Sequence, residues 1–196
     1  MSTFSLLRSL FAVPMDQPER LAQALDSDAD GLMLDLTDLV AAHRKAEARA
    51  NLREFLAAGA GPAGSGPHLW VRIARTGEDE AVAADLDVAA AVGVTGLIIP
   101  ECFYPGEIRK IAGLLDEFEE RRGLTAGAIR LLPLPEGALA IRNYFETLTA
   151  SERVCAAWFP GAFIRVAAAS APPSRALSIR PTCRCTTAWI GTGGPP

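Results

Sequence analysis

Residues 32–40 read Leu-Met-Leu-Asp-Leu-Thr-Asp-Leu-Val, an apolar run into which two aspartates are set. The first half of this run has the length and composition of a buried strand, and core packing does not require Asp35 or Asp38. Residues 6–14 form a similar apolar run that ends in Pro14. In parallel β/α folds, polar side chains at the carboxyl ends of successive buried strands form the active site. We therefore expect a functional site at the carboxyl ends of these strands.

The pattern of strand followed by helix recurs along the chain through short loops. It predicts strands over residues 6–14, 32–36, 69–74, 97–100, 129–134 and 154–159, and helices over residues 18–26, 40–58, 78–92, 106–122 and 138–149. Such alternation implies parallel strands joined by right-handed crossovers. The sequence thus predicts an α/β fold, either an incomplete (β/α)8 barrel, which needs about 250 residues when complete, or an open doubly wound sheet.

The regular pattern ends near residue 166. Residues 167–196 contain no Asp or Glu and are rich in Pro, Ser, Thr, Arg and Gly. We expect this segment to be an irregular tail, and two explanations stay open: intrinsic disorder, or a shift of reading frame that replaced the last β/α units.

Composition and charge exclude several classes of protein. The 196 residues are 49% hydrophobic and 21% charged, which is typical of a globular domain, and the net charge is −4. Nucleic acids and anionic membranes require a basic face, so neither is an expected partner. No apolar run is long enough to span a bilayer, and residues 1–10 lack the features of a signal peptide. We predict a cytoplasmic protein.

Arg72 is the most informative single residue, because an arginine inside an apolar strand is rarely buried without a partner. Its planar guanidinium matches a carboxylate, so one interpretation is a clamp for a carboxylate substrate. The other is an internal ion pair with Asp35, Asp38 or Glu136. Asp35 and Asp38 either orient Arg72 and support a metal ligand, or cap the helix predicted from residue 40.

Glu136 follows the fifth predicted strand and precedes Gly137. It is a candidate ligand for Mg²⁺, a cation that prefers carboxylate, water and substrate oxygens. The alternative is a carboxylate placed at a helix start, where the helix dipole favours it.

Several ordered matches over residues 6–161 resemble the citrate lyase beta-subunit-like branch of the HpcH/HpaI aldolase family. The matching segments are residues 8–14, residues 34–40 with Lys45 and Arg49, residues 71–74, residues 96–100, Glu136, and residues 153–154.

This resemblance implies a partial TIM barrel over residues 1–166 and Mg²⁺-dependent carbon–carbon cleavage or condensation. The implied substrate is an oxo-acid or a CoA thioester of the citryl-CoA or malyl-CoA type, and the implied assembly is a homo-oligomer. The implied roles are catalysis for Arg72, Asp35 and Asp38, cofactor binding for Arg8 and Lys45, and metal binding for Glu136.

The chain departs from the family pattern at positions that matter for this chemistry. Thr37, Ala74 and Glu101 stand where the family has Glu, Asn and Lys, and no carboxylate follows Gly161, where the family has a second metal-binding Asp. The alternative function is therefore a non-catalytic relative that serves as a binding or assembly subunit. A third interpretation is an unrelated enzyme with Cys102 as nucleophile.

Overall fold

A computed structural model describes residues 7, 9–59 and 66–158, in which strands and helices alternate. The strands of this part are β1 (Leu10–Pro14), β2 (Gly31–Asp35), β3 (His68–Arg72), β4 (Val94–Ile99) and β5 (Arg130–Pro133). Its α-helices are α1 (Arg20–Leu25), α2 (Lys45–Ala57), α3 (Asp79–Ala89), α4 (Pro105–Arg122), α5 (Gly137–Arg142) and α6 (Tyr144–Leu148), and a short 3-10 helix (Ala42–Arg44) precedes α2.

The five strands form one sheet in the order β1-β2-β3-β4-β5, and every neighbouring pair is parallel. A doubly wound sheet reverses its strand order at a switch point, whereas a barrel adds each strand beside the previous one. The described part of the sheet has no reversal. The order therefore selects the barrel from the two architectures that the sequence left open.

Both faces of the sheet are buried, which explains why the strands are almost continuously apolar. One face packs with the helices in a large core. The other face, which would line the interior of a barrel, forms a smaller cluster of Leu10, Ala12, Met33, Trp70, Ile98, Leu132 and Leu134. Because side chains alternate along a strand, Asp35 and Arg72 share this inner face with Met33 and Trp70.

The structure differs from the predictions near the end of its described part. The helix predicted over residues 138–149 is two short helices that meet at Asn143, whose side-chain amide donates to the Phe103 carbonyl at 2.9 Å. Of the strand predicted over residues 154–159, the described residues 154–158 form a single parallel bridge, between Val154 and Leu131. The tail predicted over residues 167–196 lies outside the described residues.

No helix within the described residues is long and apolar enough to cross a membrane.

Gly96 makes room for the indole of Trp70 on the inner face. A Cβ at this position would lie 2.5 Å from Trp70 Cζ3 and 2.6 Å from the Arg130 carbonyl oxygen. We expect Gly96→Ala to lower the free energy of unfolding by about 1–3 kcal/mol, the usual cost of overpacking. Urea unfolding measures the change.

Gly113→Ala is the matched control. Gly113 lies inside α4, and no heavy atom lies within 4 Å of a Cβ built there. This substitution should stabilise the chain by up to about 1 kcal/mol, because alanine is the better helix former. Equal stability of Gly96→Ala and the wild-type chain would contradict the packing described for the inner face.

Candidate active site at the carboxyl end of the sheet

Charged side chains gather where β2, β3 and β5 end. Asp35 is the last residue of β2 and pairs in register with Arg72, the last residue of β3. Asp38 follows in the turn after β2, and Glu136 follows β5. We call Asp35, Asp38, Arg72 and Glu136 the carboxyl-end cluster. Parallel strands end at the same edge of a sheet, so residues far apart in sequence meet there.

Asp35 is a fixed partner of Arg72. Its side chain is fully buried, and its Oδ2 accepts from Arg72 Nη1 at 3.3 Å. Its Oδ1 accepts from the Thr37 backbone N–H at 2.5 Å and from the Thr37 hydroxyl at 3.0 Å. Burial raises the pKa of Asp35, although Arg72 and the Thr37 hydrogen bonds act in the opposite direction. Asp35 is therefore a buried partner of Arg72, and the catalytic role that the family resemblance implies for it stays a prediction.

Asp38 pairs with Nη2, the other terminal nitrogen of the Arg72 guanidinium. Arg72 Nη2 donates to Asp38 Oδ2, and the Asp38 side chain is 69% exposed, against 11% for Arg72. The Nε of Arg72 is buried and has no acceptor among the described residues. Neither aspartate caps α2, whose N-cap is Arg44. The internal ion pair considered for Arg72 thus exists, with two aspartates, and it leaves donors of the guanidinium for a ligand.

Glu136 is half-buried and precedes α5 as its N-cap residue, but its side chain makes no capping hydrogen bond. Its pKa is raised, first by burial and then by the negative charges of Glu101 and Asp38, against the opposing effect of Arg72. A carboxylate in this situation gains from a nearby cation.

Glu101 departs from the family pattern and has an unusual backbone. It is the one non-glycine residue with a positive φ, 50°, in the described part of the chain, a conformation that such residues adopt at an energetic cost. Its carboxylate accepts from Arg75 Nη1 at 3.0 Å. Sequence reasoning missed Arg75, whose signal is its position just after β3, three residues before the oppositely charged Glu78.

Lys45 is the first residue of α2, one turn before Arg49, which forms a buried ion pair with Asp85. Arg49 Nε donates to Asp85 Oδ1 at 2.7 Å, and Asp85 Oδ2 accepts from the Ala74 N–H at 2.7 Å. Burial raises the pKa of Asp85, while Arg49, the Ala74 N–H and Lys45 oppose the shift. This buried link joins α2 to α3, and the cofactor-binding role of Lys45 stays a prediction. Arg8, the other predicted cofactor-binding residue, lies outside the described residues.

Two further features limit the chemistry of the described part. It contains no group of three or more His, Cys, Asp or Glu side chains that could hold a metal ion by themselves. Cys102 is fully buried, and burial is the main cause that raises its pKa to about 12. A thiol in this environment is neither ionised nor accessible, so Cys102 does not have the properties of a nucleophile.

The fold has close counterparts among solved structures. The citrate lyase beta subunit from Mycobacterium tuberculosis, complexed with oxaloacetate and magnesium, matches with a TM-score of 0.62 at 22% identity, over 84% of this chain and 63% of that one. The protein CitE from the same organism, complexed with magnesium, acetoacetate and coenzyme A, matches with a TM-score of 0.57 at 24% identity, over 78% and 48%. The lead(II) complex of Haloferax volcanii malate synthase matches with a TM-score of 0.64 at 19% identity, over 78% and 49%.

These likenesses confirm the predicted fold, an α/β fold of the TIM-barrel type, of which the described residues form five parallel strands. The chain spans between 48% and 63% of the length of these neighbours. No functionally curated protein is significantly similar to it in sequence. The family model described as HpcH/HpaI aldolase/citrate lyase matches residues 8–162. Since this match covers most of the sequence, the chain belongs to the HpcH/HpaI aldolase/citrate lyase family.

Proposed function

We propose that this chain is a carbon–carbon lyase or aldolase domain that acts with Mg²⁺ on an oxo-acid or on a CoA thioester of the citryl-CoA or malyl-CoA type. One observation carries the proposal: a largely buried arginine and a half-buried glutamate, Arg72 and Glu136, share the carboxyl end of a barrel-type sheet. Family membership supports the reaction class, and the magnesium and oxo-acid complexes of the structural neighbours support the cofactor and substrate class.

The residues present fit a Mg²⁺ site with few protein ligands. Mg²⁺ usually keeps several waters and binds through one or two carboxylates together with substrate oxygens. Glu136 offers one such carboxylate. Its pKa is raised mainly by burial, with smaller contributions from the negative charges of Glu101 and Asp38, and a cation bound beside it would favour its charged form. When bound, the cation would supply electrostatic stabilisation of the negative charge that develops on the substrate oxygen.

The chain's own residues account for binding and orientation. Arg72 would bind the substrate carboxylate through its remaining N–H groups, because the planar guanidinium favours a two-point contact. Asp35 holds the guanidinium in place by accepting a hydrogen bond from its Nη1. Trp70 and Ile98 are almost fully buried on the inner face that Arg72 shares, and we infer that this apolar cluster helps to keep bulk water from the guanidinium. Water exclusion of this kind strengthens each charge interaction in the site.

A non-catalytic relative that binds oxo-acids or assembles with other subunits is the second candidate. The observation that favours it is that the described residues contain no group of three or more His, Cys, Asp or Glu side chains that could hold a metal ion. The homo-oligomer implied by the family resemblance and the cytoplasmic location remain predictions.

Replacing Glu136 with glutamine tests the proposed metal site. The variant keeps the side-chain volume and removes the charge, so we expect Mg²⁺-dependent affinity for oxaloacetate to fall at least about tenfold, the scale of one lost charge contact. Calorimetric titration of oxaloacetate at fixed Mg²⁺ concentration measures this change.

Glu117→Gln is the matched control, because Glu117 is an exposed glutamate on α4. It should bind oxaloacetate as the wild-type chain does. Unchanged affinity in Glu136→Gln would sink the proposed metal role. Binding without turnover of any CoA thioester would favour the non-catalytic candidate.

A further inference from the structure

One edge of the Arg72 guanidinium carries Nε and Nη2, and of these two nitrogens only Nη2 has an acceptor among the described residues. In arginine, Nε–H and one Nη2–H point to the same side of the planar group, so together they match the two oxygens of a carboxylate. Here Nη2 donates to Asp38, whereas Nε is buried and meets no acceptor among the described residues. Nη1, on the other side, is taken by Asp35.

The two aspartates that pair with Arg72 differ in burial and in the number of hydrogen bonds that fix them. Asp35 is fully buried, and two hydrogen bonds from Thr37 fix its second oxygen. Asp38 lies in a turn after β2 with 69% of its side chain exposed. Water competes with Arg72 for the exposed Asp38 carboxylate, which weakens this half of the pairing relative to the buried one. Asp38 can therefore leave Arg72 by a side-chain rotation, and Asp35 cannot.

We propose that Asp38 is a displaceable stand-in for the substrate carboxylate, which takes both Nε and Nη2 of Arg72 when it binds. The inference rests on the proposed function and adds a regulating residue to its site. Without a ligand, Asp38 gives a guanidinium that is 11% exposed a second carboxylate partner beside Asp35. A ligand must outcompete it, which favours planar carboxylates that reach both donors over anions that make a single contact.

This stand-in lowers the apparent affinity of the site, so removing it should tighten binding. We expect Asp38→Asn to bind pyruvate about two- to fivefold more tightly than the wild-type chain, since this range corresponds to the strength of an exposed ion pair. Asp38→Ser, which also removes the amide oxygen, should shift affinity in the same direction.

The readout is the Nε–H signal of Arg72 in nitrogen–proton correlation spectra of the full chain, assigned by its loss in Arg72→Lys. Titration with pyruvate should move this proton downfield, because Nε–H gains an acceptor, and the half-saturation point gives the affinity. Asp79→Asn is the matched control: Asp79 is 67% exposed and pairs with Lys110 on the helix layer. It should follow the wild-type titration.

Equal or weaker pyruvate binding in both Asp38 variants would overturn the inference. So would an Nε–H signal that pyruvate leaves unmoved in every variant, and oxaloacetate binding that still depends on Mg²⁺ and Glu136 would then leave the proposed function standing. Loss of Mg²⁺ dependence with a normal pyruvate shift would have the opposite meaning, since the stand-in would survive and the proposed metal chemistry would fail.

Discussion

Replacing Arg72 with methionine is expected to abolish oxaloacetate binding and to lower the free energy of unfolding by about 3–5 kcal/mol, the usual cost of breaking one side of a buried ion pair. Binding is lost because no N–H group remains for the substrate carboxylate. Stability is lost because Asp35, fully buried, keeps its charge without the counter-ion now 3.3 Å away. Titration calorimetry and urea unfolding measure the two effects separately.

The double variant Arg72→Met with Asp35→Asn separates function from stability. It removes the uncompensated charge, so most of the stability should return while binding stays lost. The pH dependence gives a second control, because burial already raises the pKa of Asp35 and removing Arg72 raises it further. Relative to the wild-type chain, the deficit of the single variant should grow as the pH rises from the raised pKa of Asp35 in the wild-type chain to its still higher pKa in the variant, and it should vanish below both. Oxaloacetate binding retained by the double variant would contradict the clamp.

Replacing Arg153 with methionine is expected to destabilise the chain by a similar amount, about 3–5 kcal/mol, without weakening ligand binding in the folded protein. Arg153 is 7% exposed and donates to both oxygens of Glu119, which is 1% exposed, at 2.9 and 2.6 Å. Its Nη1 also donates to the Ile129 carbonyl at 3.0 Å. These contacts tie the end of α4 and the start of β5 to the segment after α6, at the amino end of the sheet.

Thermal unfolding measures this loss, and Arg53→Met serves as its control. Arg53 pairs with Asp87 at 3.2 Å, but both side chains are more than half exposed, so its loss should change stability by less than about 1 kcal/mol. Equal melting temperatures of the Arg153 and Arg53 variants would contradict the structural role of the buried pair. Weaker oxaloacetate binding in folded Arg153→Met would show that the two ends of the sheet are not independent.

The order of strands and helices could be predicted from the sequence, because apolar runs of strand length alternate with helical periodicity. The break at Asn143 could not, because it depends on a contact with Phe103, 40 residues away. The same holds for the buried pair of Arg49 and Asp85, 36 residues apart, and for Arg153 and Glu119, 34 residues apart. Local propensity carries no information about partners at such separations.

Part of the candidate site could also be predicted from the sequence. The strand ends identified Asp35, Asp38, Arg72 and Glu136 as residues that core packing does not require, and the register of parallel strands explains why they meet. Which aspartate is fixed and which is exposed depends on burial, and the sequence contains no signal for it. The roles assigned to these residues remain predictions until they are measured.

Calorimetric titration of the full chain with oxaloacetate, with and without Mg²⁺, is the direct test of the proposed site. We expect binding that requires Mg²⁺ in the wild-type chain and disappears in the stable double variant of Arg72 and Asp35. Identical titrations with and without Mg²⁺, or binding that survives in the double variant, would contradict the assignment of the carboxyl-end cluster as a Mg²⁺-dependent oxo-acid site.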